Sequence, residues 1–208
     1  LVVLPKTVAE DFLVFAQQNP KPCPILEMTS AGDPHLTKIA HANIITDLPA
    51  YLIFENANHT ITTHDLKAHW RDDLVSFVIG CSYTTDRLLE LESFKLPHII
   101  HNTTIPIYIT NKQTQASRFF SGPLAVSMRY IPKHRLQRAI EITNNYPLAH
   151  GAPIHSGDPH ILGIDDITQP DHGTYYPPQP GDTPVFWACG ITPQLCMHPK
   201  HISFMITH

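Results

Sequence analysis

The sequence predicts a mixed α/β protein. Segments with apolar residues at helical intervals alternate along the chain with short segments that resemble strands, and this alternation is typical of the class. Of the 208 residues, 42% are hydrophobic and 15% are charged, which favours a compact protein with a sizeable core. The 20 prolines are spread along the whole chain, so they indicate many fixed turns.

The first part of the chain is predicted to contain one strand and three helices. Residues 1–4 form an apolar strand, and capping-box spacing then begins a helix over residues 7–19 that the following prolines end. A second helix is predicted from residue 62 or 63 to Gly80, because apolar residues recur there at helical intervals. These residues are Leu66, Trp70, Leu74 and Phe77. A short third helix is predicted over residues 86–94.

The remaining chain is predicted to be richer in strands. Four segments have strand character: 96–101, 105–110, 123–130 and 185–189. Residues 132–144 form a helix, and residues 202–208 form a last strand. Since the first and last strands both resemble strand interiors, we expect further ordered structure beyond both ends.

Two units are predicted from this order of elements. Residues 1–103 together with 184–208 form an α/β domain. Residues 104–183 form a smaller inserted two-layer α/β unit with a linker, for which the Pro- and Gly-rich residues 171–184 are the best candidate.

Composition excludes several classes of partner. The net charge of −4 provides no basic face for nucleic acid, and no apolar run approaches the roughly 20 residues that span a bilayer. The four cysteines form no CxxC pair, so we expect reduced thiols and a cytoplasmic location. A homo-oligomer is compatible with this composition. Motifs of the types GxGxxG, GxxxxGK[ST] and GxSxG do not occur, so nucleotide binding and the usual serine hydrolase elbow gain no support.

The first candidate site is the segment WRDDLVSFVIGCSY. Arg71, Asp72 and Asp73 either bind a charged small molecule or pair with each other at a helix, where the two carboxylates point about 100° apart. Cys81 and Ser82 follow a predicted helix end, so the backbone there either presents N–H groups to an anion or buries the thiol as a small apolar group.

The second candidate site is RFFSGPLAVSMR. Arg118 or Arg129 binds a carboxylate through two parallel hydrogen bonds, and Ser121 and Gly122 let a ligand approach the backbone. The alternative is an ordinary turn with surface arginines.

Two later segments carry further candidates. His150, His155 and Asp158 could bind a metal or transfer protons, and because their spacing matches no trusted metal motif we favour proton transfer or hydrogen bonding. Ligands of α/β sheets bind at the carboxyl ends of strands. The candidates at the predicted strand end are Cys189, Gly190, Thr192 and Gln194.

These blocks, together with NPKPCPILE, GDPH, TDLPAY, PVFWACGITPQ and FMITH, resemble the hydro-lyase family related to the D-glutamate cyclase domain. The resemblance implies a mixed-sheet three-layer sandwich with a smaller two-layer α/β unit. It also implies conversion of D-glutamate to 5-oxo-D-proline with loss of water, or a similar lyase reaction on a small carboxylate or amino acid, and this chemistry requires no cofactor.

For this reaction we expect Asp72 or Asp73 as the base and His150 or His155 as the acid. Arg118 or Arg129 would anchor the α-carboxylate, and backbone N–H groups near residues 80–82 or 190–192 would hold the oxyanion. Two alternatives remain open. One is metal-assisted dehydration of another hydroxy or amino acid, and the other is a non-catalytic module that binds an acidic metabolite.

Overall fold

The computed structural model describes residues 1–55, 59–198 and 200–208, and it confirms a mixed α/β protein. The helices are α1 (Lys6–Gln18), α2 (Tyr83–Leu91), α3 (Pro97–Ile100), α4 (Leu136–Asn144) and α5 (Thr192–Cys196). The strands are β1 (Val2–Pro5), β2 (Ile25–Met28), β3 (His35–Leu36), β4 (Ala42–Asn43), β5 (Tyr51–Glu55), β6 (His59–Thr63), β7 (Leu74–Ile79), β8 (Ile107–Gln113), β9 (Pro123–Pro132), β10 (His155–Ser156), β11 (Asp182–Ala188) and β12 (Phe204–Thr207).

The larger sheet has the strand order β2-β7-β1-β12-β5-β6, and its neighbouring strands are antiparallel. The first and last strands lie side by side at its centre, where Val3 pairs with Ile206. Helix α1 covers one face of this sheet. The Phe12 ring meets the ring of Phe77 on β7 edge-on, with 4.9 Å between centroids. This aromatic contact places the predicted first helix against the core.

The prediction of a helix that ends at Gly80 is wrong. Its apolar residues belong instead to a turn region and to β7, in which the first four side chains are all buried. Leu74 packs on one face of the sheet, whereas Val75 and Phe77 pack on the other. Because a central strand buries both faces, its residues are apolar on both, and the spacing then imitates a helix.

The prediction of a strand over residues 96–101 is also wrong, because this segment contains helix α3. Pro97 occupies the beginning of that helix, where its missing N–H has no intrahelical partner to lose. The other predicted helices and strands are confirmed, with bounds that differ by a few residues.

The smaller sheet has the order β10-β11-β9-β8 and is also antiparallel. Helices α2 and α4 pack against it through a core that includes Leu89, Ile142 and Trp187. The segment 171–184 begins beside β8, where His172 exchanges backbone hydrogen bonds with Ile107, and its last three residues belong to β11. The sandwich layering and the division into two units stay predictions.

Among the described residues, no helix has both the length and the apolar composition needed to cross a bilayer.

Candidate active site

A cavity of about 430 Å³ lies where the two sheets meet. Its walls come from the junction between β7 and α2, from the short strands β3 and β4, from β9, and from the turn between β11 and α5. Apolar side chains such as Ile79, Ile105 and Ile191 line it beside a small set of polar groups. A mostly apolar pocket with few convergent polar groups is the usual form of a small-molecule site.

The junction between β7 and α2 forms one wall, and Gly80 is essential to its shape. A Cβ atom added at Gly80 would lie 1.6 Å from the carbonyl oxygen of Leu148, so only glycine allows the two backbones to come this close. The contact brings the segment around His150 against the cavity. Cys81 and Ser82 follow Gly80 and both line the cavity.

His150 is a titratable side chain of the cavity wall. It lines the cavity but is only 1% exposed, and its Nδ1 lies 2.6 Å from the carbonyl oxygen of Lys21. A carbonyl can only accept, so Nδ1 carries the proton and Nε2 of the neutral ring is an acceptor. Nε2 lies 3.8 Å from the position of a Cβ added at Gly190, another residue of the cavity wall.

Burial lowers the pKa of His150 below its ordinary value of 6.5. The carbonyls of Lys21 and Gly80 favour the protonated ring, but the desolvation of the charge outweighs them, and the charge of Arg129 adds to the lowering. The imidazole is therefore neutral at neutral pH, and the backbone carbonyls of Lys21 and Gly80 both contact it.

A buried ionic network supports the wall beside Ser82. Arg129 on β9 binds both carboxylate oxygens of Asp86 on α2 through Nε and Nη2. Nη2 also donates to Ser82 Oγ at 2.9 Å, and Nη1 donates to Ser127 Oγ at 3.0 Å. His98 completes the network, because its Nε2 lies 3.0 Å from Asp86 Oδ2.

The two ionic side chains stay charged despite their burial. Burial raises the pKa of the Asp86 carboxyl, but the charge of Arg129 and the hydrogen bonds from His98 and Arg129 outweigh it, so this pKa lies below its ordinary value. The guanidinium also lies over the ring of Trp187, 5.1 Å from its centroid. The network thus holds a full positive charge directly behind two serine hydroxyls.

The turn after β11 forms the opposing part of the wall. Cys189, Gly190 and Gln194 line the cavity. Thr192 is buried and holds the turn, since its Oγ1 donates to the carbonyl of Cys189 at 2.7 Å and accepts from Ala125 N at 3.1 Å. Burial raises the pKa of the Cys189 thiol.

A family model described as D-glutamate cyclase matches residues 75–208, which include α2, β9, His150 and the turn after β11. This chain belongs to the D-glutamate cyclase family. It is 43% identical to a protein of Thermoanaerobacter sp. (strain X514) named "Putative hydro-lyase", over 100% of this chain and 79% of the relative. Proteins with the same name in Psychrobacter arcticus and Bradyrhizobium diazoefficiens are 44% and 42% identical, over 80% and 77% of their lengths and all of this chain. The resemblance drawn from the sequence is confirmed, and these names support a lyase.

In this family member, the sequence-derived residues of the WRDD segment lie apart from the cavity. Arg71 pairs with Asp73 on the surface, with Nε 2.9 Å from Oδ1, and its guanidinium lies over the ring of Phe204. Asp72 is also exposed, and none of the three lines the cavity. The fold therefore does not bring these carboxylates to His150.

The loop before β9 also lies elsewhere. Arg118 is exposed, and its backbone N–H donates to Asp11. Ser121 Oγ lies 2.5 Å from His198 Nε2, and Gly122 packs closely against Leu195 and Cys196. These contacts fix the loop on α1 and α5, and of the predicted pair of arginines only Arg129 lies behind the cavity wall.

The loop after His150 turns away from the cavity. His155 stacks on Phe186, and its Nε2 lies 2.8 Å from the carbonyl oxygen of Asp158. The Asp158 carboxylate instead binds His160, whose Nδ1 lies 2.8 Å away. His150, His155 and Asp158 therefore do not converge. Within the part of the chain that the structure describes, no three His, Cys, Asp or Glu side chains are grouped as metal ligands.

Sequence reasoning missed Ser127, Asp86 and His98. The signal for Ser127 was present, because the predicted strand over residues 123–130 places it on the same face as Arg129. Asp86 carried no comparable signal, since an acidic residue in the first turn of a helix is ordinary. His98 lay in a segment predicted as a strand, so its position could not be anticipated.

Proposed function

We propose that this protein is a hydro-lyase that cyclises D-glutamate to 5-oxo-D-proline in the cavity between the sheets, with loss of water. Membership of the D-glutamate cyclase family supports the substrate, and a cavity of about 430 Å³ is ample for one amino acid. The observation that carries the proposal is His150, a buried neutral imidazole with an acceptor nitrogen at the cavity wall.

The atoms and charges of the reaction balance when protons are transferred from nitrogen to oxygen, and no other reactant is needed. The substrate nitrogen attacks the side-chain carboxyl carbon, so a C–N bond forms and a C–O bond breaks. The ammonium group loses two protons on becoming the lactam N–H, and the departing carboxylate oxygen takes up two protons as water. A single group that accepts protons from nitrogen and returns them to oxygen is therefore sufficient.

His150 meets this requirement in both directions. Its lowered pKa keeps Nε2 unprotonated at neutral pH, so the ring can deprotonate the ammonium group. Once protonated, a desolvated imidazolium is a stronger acid than usual and readily returns the proton to the leaving oxygen. This assignment gives His150 both roles that the sequence had divided among Asp72, Asp73, His150 and His155.

The substrate's charges find complementary groups on other walls. Asp47 lines the cavity, and its carboxylate accepts from Asn43 N at 2.7 Å, which lowers the pKa of Asp47 and keeps it ionised beside an incoming ammonium group. Helix α2 begins at Tyr83 beside Ser82 on the other side, so its positive end favours a carboxylate group of the substrate at this wall.

The test is a turnover assay on the purified chain with D-glutamate, followed by NMR detection of 5-oxo-D-proline. His150→Gln keeps a similar size but removes the titrating nitrogen, and we expect turnover to fall about 100-fold or more. His155→Gln is the matched control, because His155 lies outside the cavity, and its turnover should equal that of the unaltered protein.

Equal turnover of His150→Gln and the unaltered protein would contradict the assignment of His150. If D-glutamate raises the melting temperature of the unaltered protein but is never converted, the non-catalytic binding module replaces the enzyme as the explanation. L-glutamate, tested in parallel, shows whether the cavity selects one enantiomer.

A further inference from the structure

We infer that the hydroxyls of Ser82 and Ser127 form a binding site for the substrate's α-carboxylate, and that Arg129 acts through them without touching the ligand. The identity of the ligand rests on the proposed function, whereas the site itself follows from the hydrogen bonds of Arg129. Its class of ligand is a small organic carboxylate.

Arg129 is not free to bind a ligand directly. Its side chain is 2% exposed, and it does not line the large cavity. One edge of the guanidinium, Nε with Nη2, is occupied by Asp86. The end formed by Nη1 and Nη2 is occupied by Ser127 and Ser82. The direct anchoring role expected from the sequence is therefore replaced by an indirect one.

The hydrogen-bond direction at the two serines is fixed by chemistry. A guanidinium can only donate, so each serine oxygen accepts from Arg129 and retains its own proton for donation. Among the described residues, neither Ser82 nor Ser127 has an acceptor for that proton. Ser82 is 6% exposed, Ser127 is fully buried, and both line the cavity. Neither hydroxyl proton is thus committed to an acceptor among the described residues at this wall.

The arrangement suits two oxygens on one carbon. Both hydroxyls are positioned by the same rigid, planar group, so they present two donors side by side, as the guanidinium itself would. The positive charge behind them polarises each hydroxyl and strengthens its donation. The Asp86 carboxylate balances that charge, which allows the network to remain buried when the cavity is empty.

The site suits the α-carboxylate better than the reacting carboxyl group. Its donors would hold an ionised carboxylate equally in the ground state and in the transition state, which promotes binding and not bond breaking. The reacting carboxyl group must instead lie within reach of the proton carrier, His150. Anchoring the α-carboxylate at the serine pair leaves the amino group and the side chain free to meet at His150.

The experiment compares two ligands that differ only in this carboxylate. 5-Oxo-D-proline carries it, and 2-pyrrolidinone is the same ring without it. In titration calorimetry with the unaltered protein, we expect 5-oxo-D-proline to bind and 2-pyrrolidinone to bind at least tenfold more weakly. Ser82→Ala and Ser127→Ala should each weaken 5-oxo-D-proline binding roughly tenfold and leave the weak binding of 2-pyrrolidinone unchanged. Ser121→Ala is the matched control outside the cavity and should bind like the unaltered protein.

The outcomes separate this inference from the proposed function. Serine-dependent binding of 5-oxo-D-proline without turnover of D-glutamate would retain the carboxylate site and reject the cyclase. Turnover with unchanged affinity in both serine variants would reject the carboxylate site and retain the cyclase. Failure of the unaltered protein to bind 5-oxo-D-proline would also reject the site. A melting curve for each variant verifies that it is folded, and if one serine variant does not fold, the other decides.

Discussion

At the residue scale, His150 and Arg129 respond to burial in opposite ways. The imidazole is held by carbonyl oxygens and loses its charge, because desolvation outweighs those contacts. The guanidinium keeps its charge because arginine is not deprotonated in proteins and Asp86 lies beside it. One residue can therefore exchange protons within the cavity, while the other supplies a constant field behind it.

The rate of cyclisation should report the lowered pKa of His150. A histidine with the ordinary pKa of 6.5 would lose activity as the pH falls through that value. Because the pKa of His150 is lower, we expect kcat/KM to stay constant through pH 6.5 and to fall only in more acidic solution. Kinetics across this range in a constant-ionic-strength buffer measure the midpoint. A midpoint at or above 6.5 would contradict the buried, neutral ring.

The Asp86 carboxylate should be important for stability. Asp86→Asn would leave Arg129 buried without its counter-charge, and breaking a buried pair costs about 3–5 kcal/mol of unfolding free energy. Asp165→Asn removes an equal charge from an exposed position and should change stability by no more than about 0.5 kcal/mol. Urea denaturation of the two variants at neutral pH makes the comparison. Similar small effects would show that the network is not maintained in solution.

The same pair predicts a pH dependence of stability. The pKa of Asp86 is lower in the folded protein than in the unfolded chain, so the unfolded chain binds the proton more readily. The contribution of ionised Asp86 to the free energy of unfolding is therefore fully present above the pKa of the unfolded chain. It is lost as the pH falls below the ordinary value of 3.8 through the lower folded value. Asp86→Asn should therefore flatten this part of the acid unfolding curve.

At the element scale, local patterns predicted most helices and strands but not the elements set by tertiary burial. Helix α1 and strand β9 each present a clear period, and both were predicted. Strand β7 is buried on both faces and was mistaken for a helix. The two-residue strands β3 and β4 are too short to show any period, yet β4 contributes Asn43 to the cavity wall. The sequence alone therefore does not show that this segment forms part of the cavity wall.

The junction of β7 and α2 should tolerate no side chain at Gly80. In Gly80→Ala the new Cβ would overlap the backbone carbonyl of Leu148, and two backbone segments would have to separate. We expect a loss of about 3 kcal/mol or more of unfolding free energy, the upper end for overpacking. Gly190→Ala is the matched control. Its Cβ would meet Gly80 O at 3.7 Å, an ordinary contact, so its stability should change by about 0.5 kcal/mol or less. Equal stabilities would contradict the close approach.

At the scale of the whole molecule, the candidate site depends on contacts between parts of the chain that are far apart in sequence. Helix α1 binds the connection between β8 and β9, because Asn19 exchanges two hydrogen bonds with the backbone of Gln115 and Asp11 accepts from Phe119 N. Phe120 then enters the core of the larger sheet. Sequence patterns show local periodicity and chemistry, so residues such as Ser82 and Arg129 could be predicted as candidates. The patterns do not show which of these residues lie close together in the fold. Asp72 and His155 have suitable chemistry, but the fold places them outside the cavity.

The two sheets should therefore unfold as one unit, and Phe120→Ala should destabilise both. The Phe120 ring lies 5.2 Å from that of Phe12 on α1 and is fully buried, so truncation should cost about 3–5 kcal/mol. The chain has two tryptophans, Trp70 beside the larger sheet and Trp187 in the smaller one. Trp187→Phe leaves Trp70 as a fluorescence probe of the larger sheet, and Trp70→Phe leaves Trp187 as a probe of the smaller sheet.

Urea unfolding followed by fluorescence should give coincident transitions in the two single-tryptophan proteins, since coincident probes are the test of a two-state process. Adding Phe120→Ala should move both midpoints to lower urea concentration by the same amount. Ile161→Ala, a truncation of an exposed side chain, should move neither. If Phe120→Ala moved the transition of Trp70 alone, the sheets would unfold independently. The cavity between them would then open without unfolding of either sheet, and His150 would lose the permanent burial that keeps its imidazole neutral.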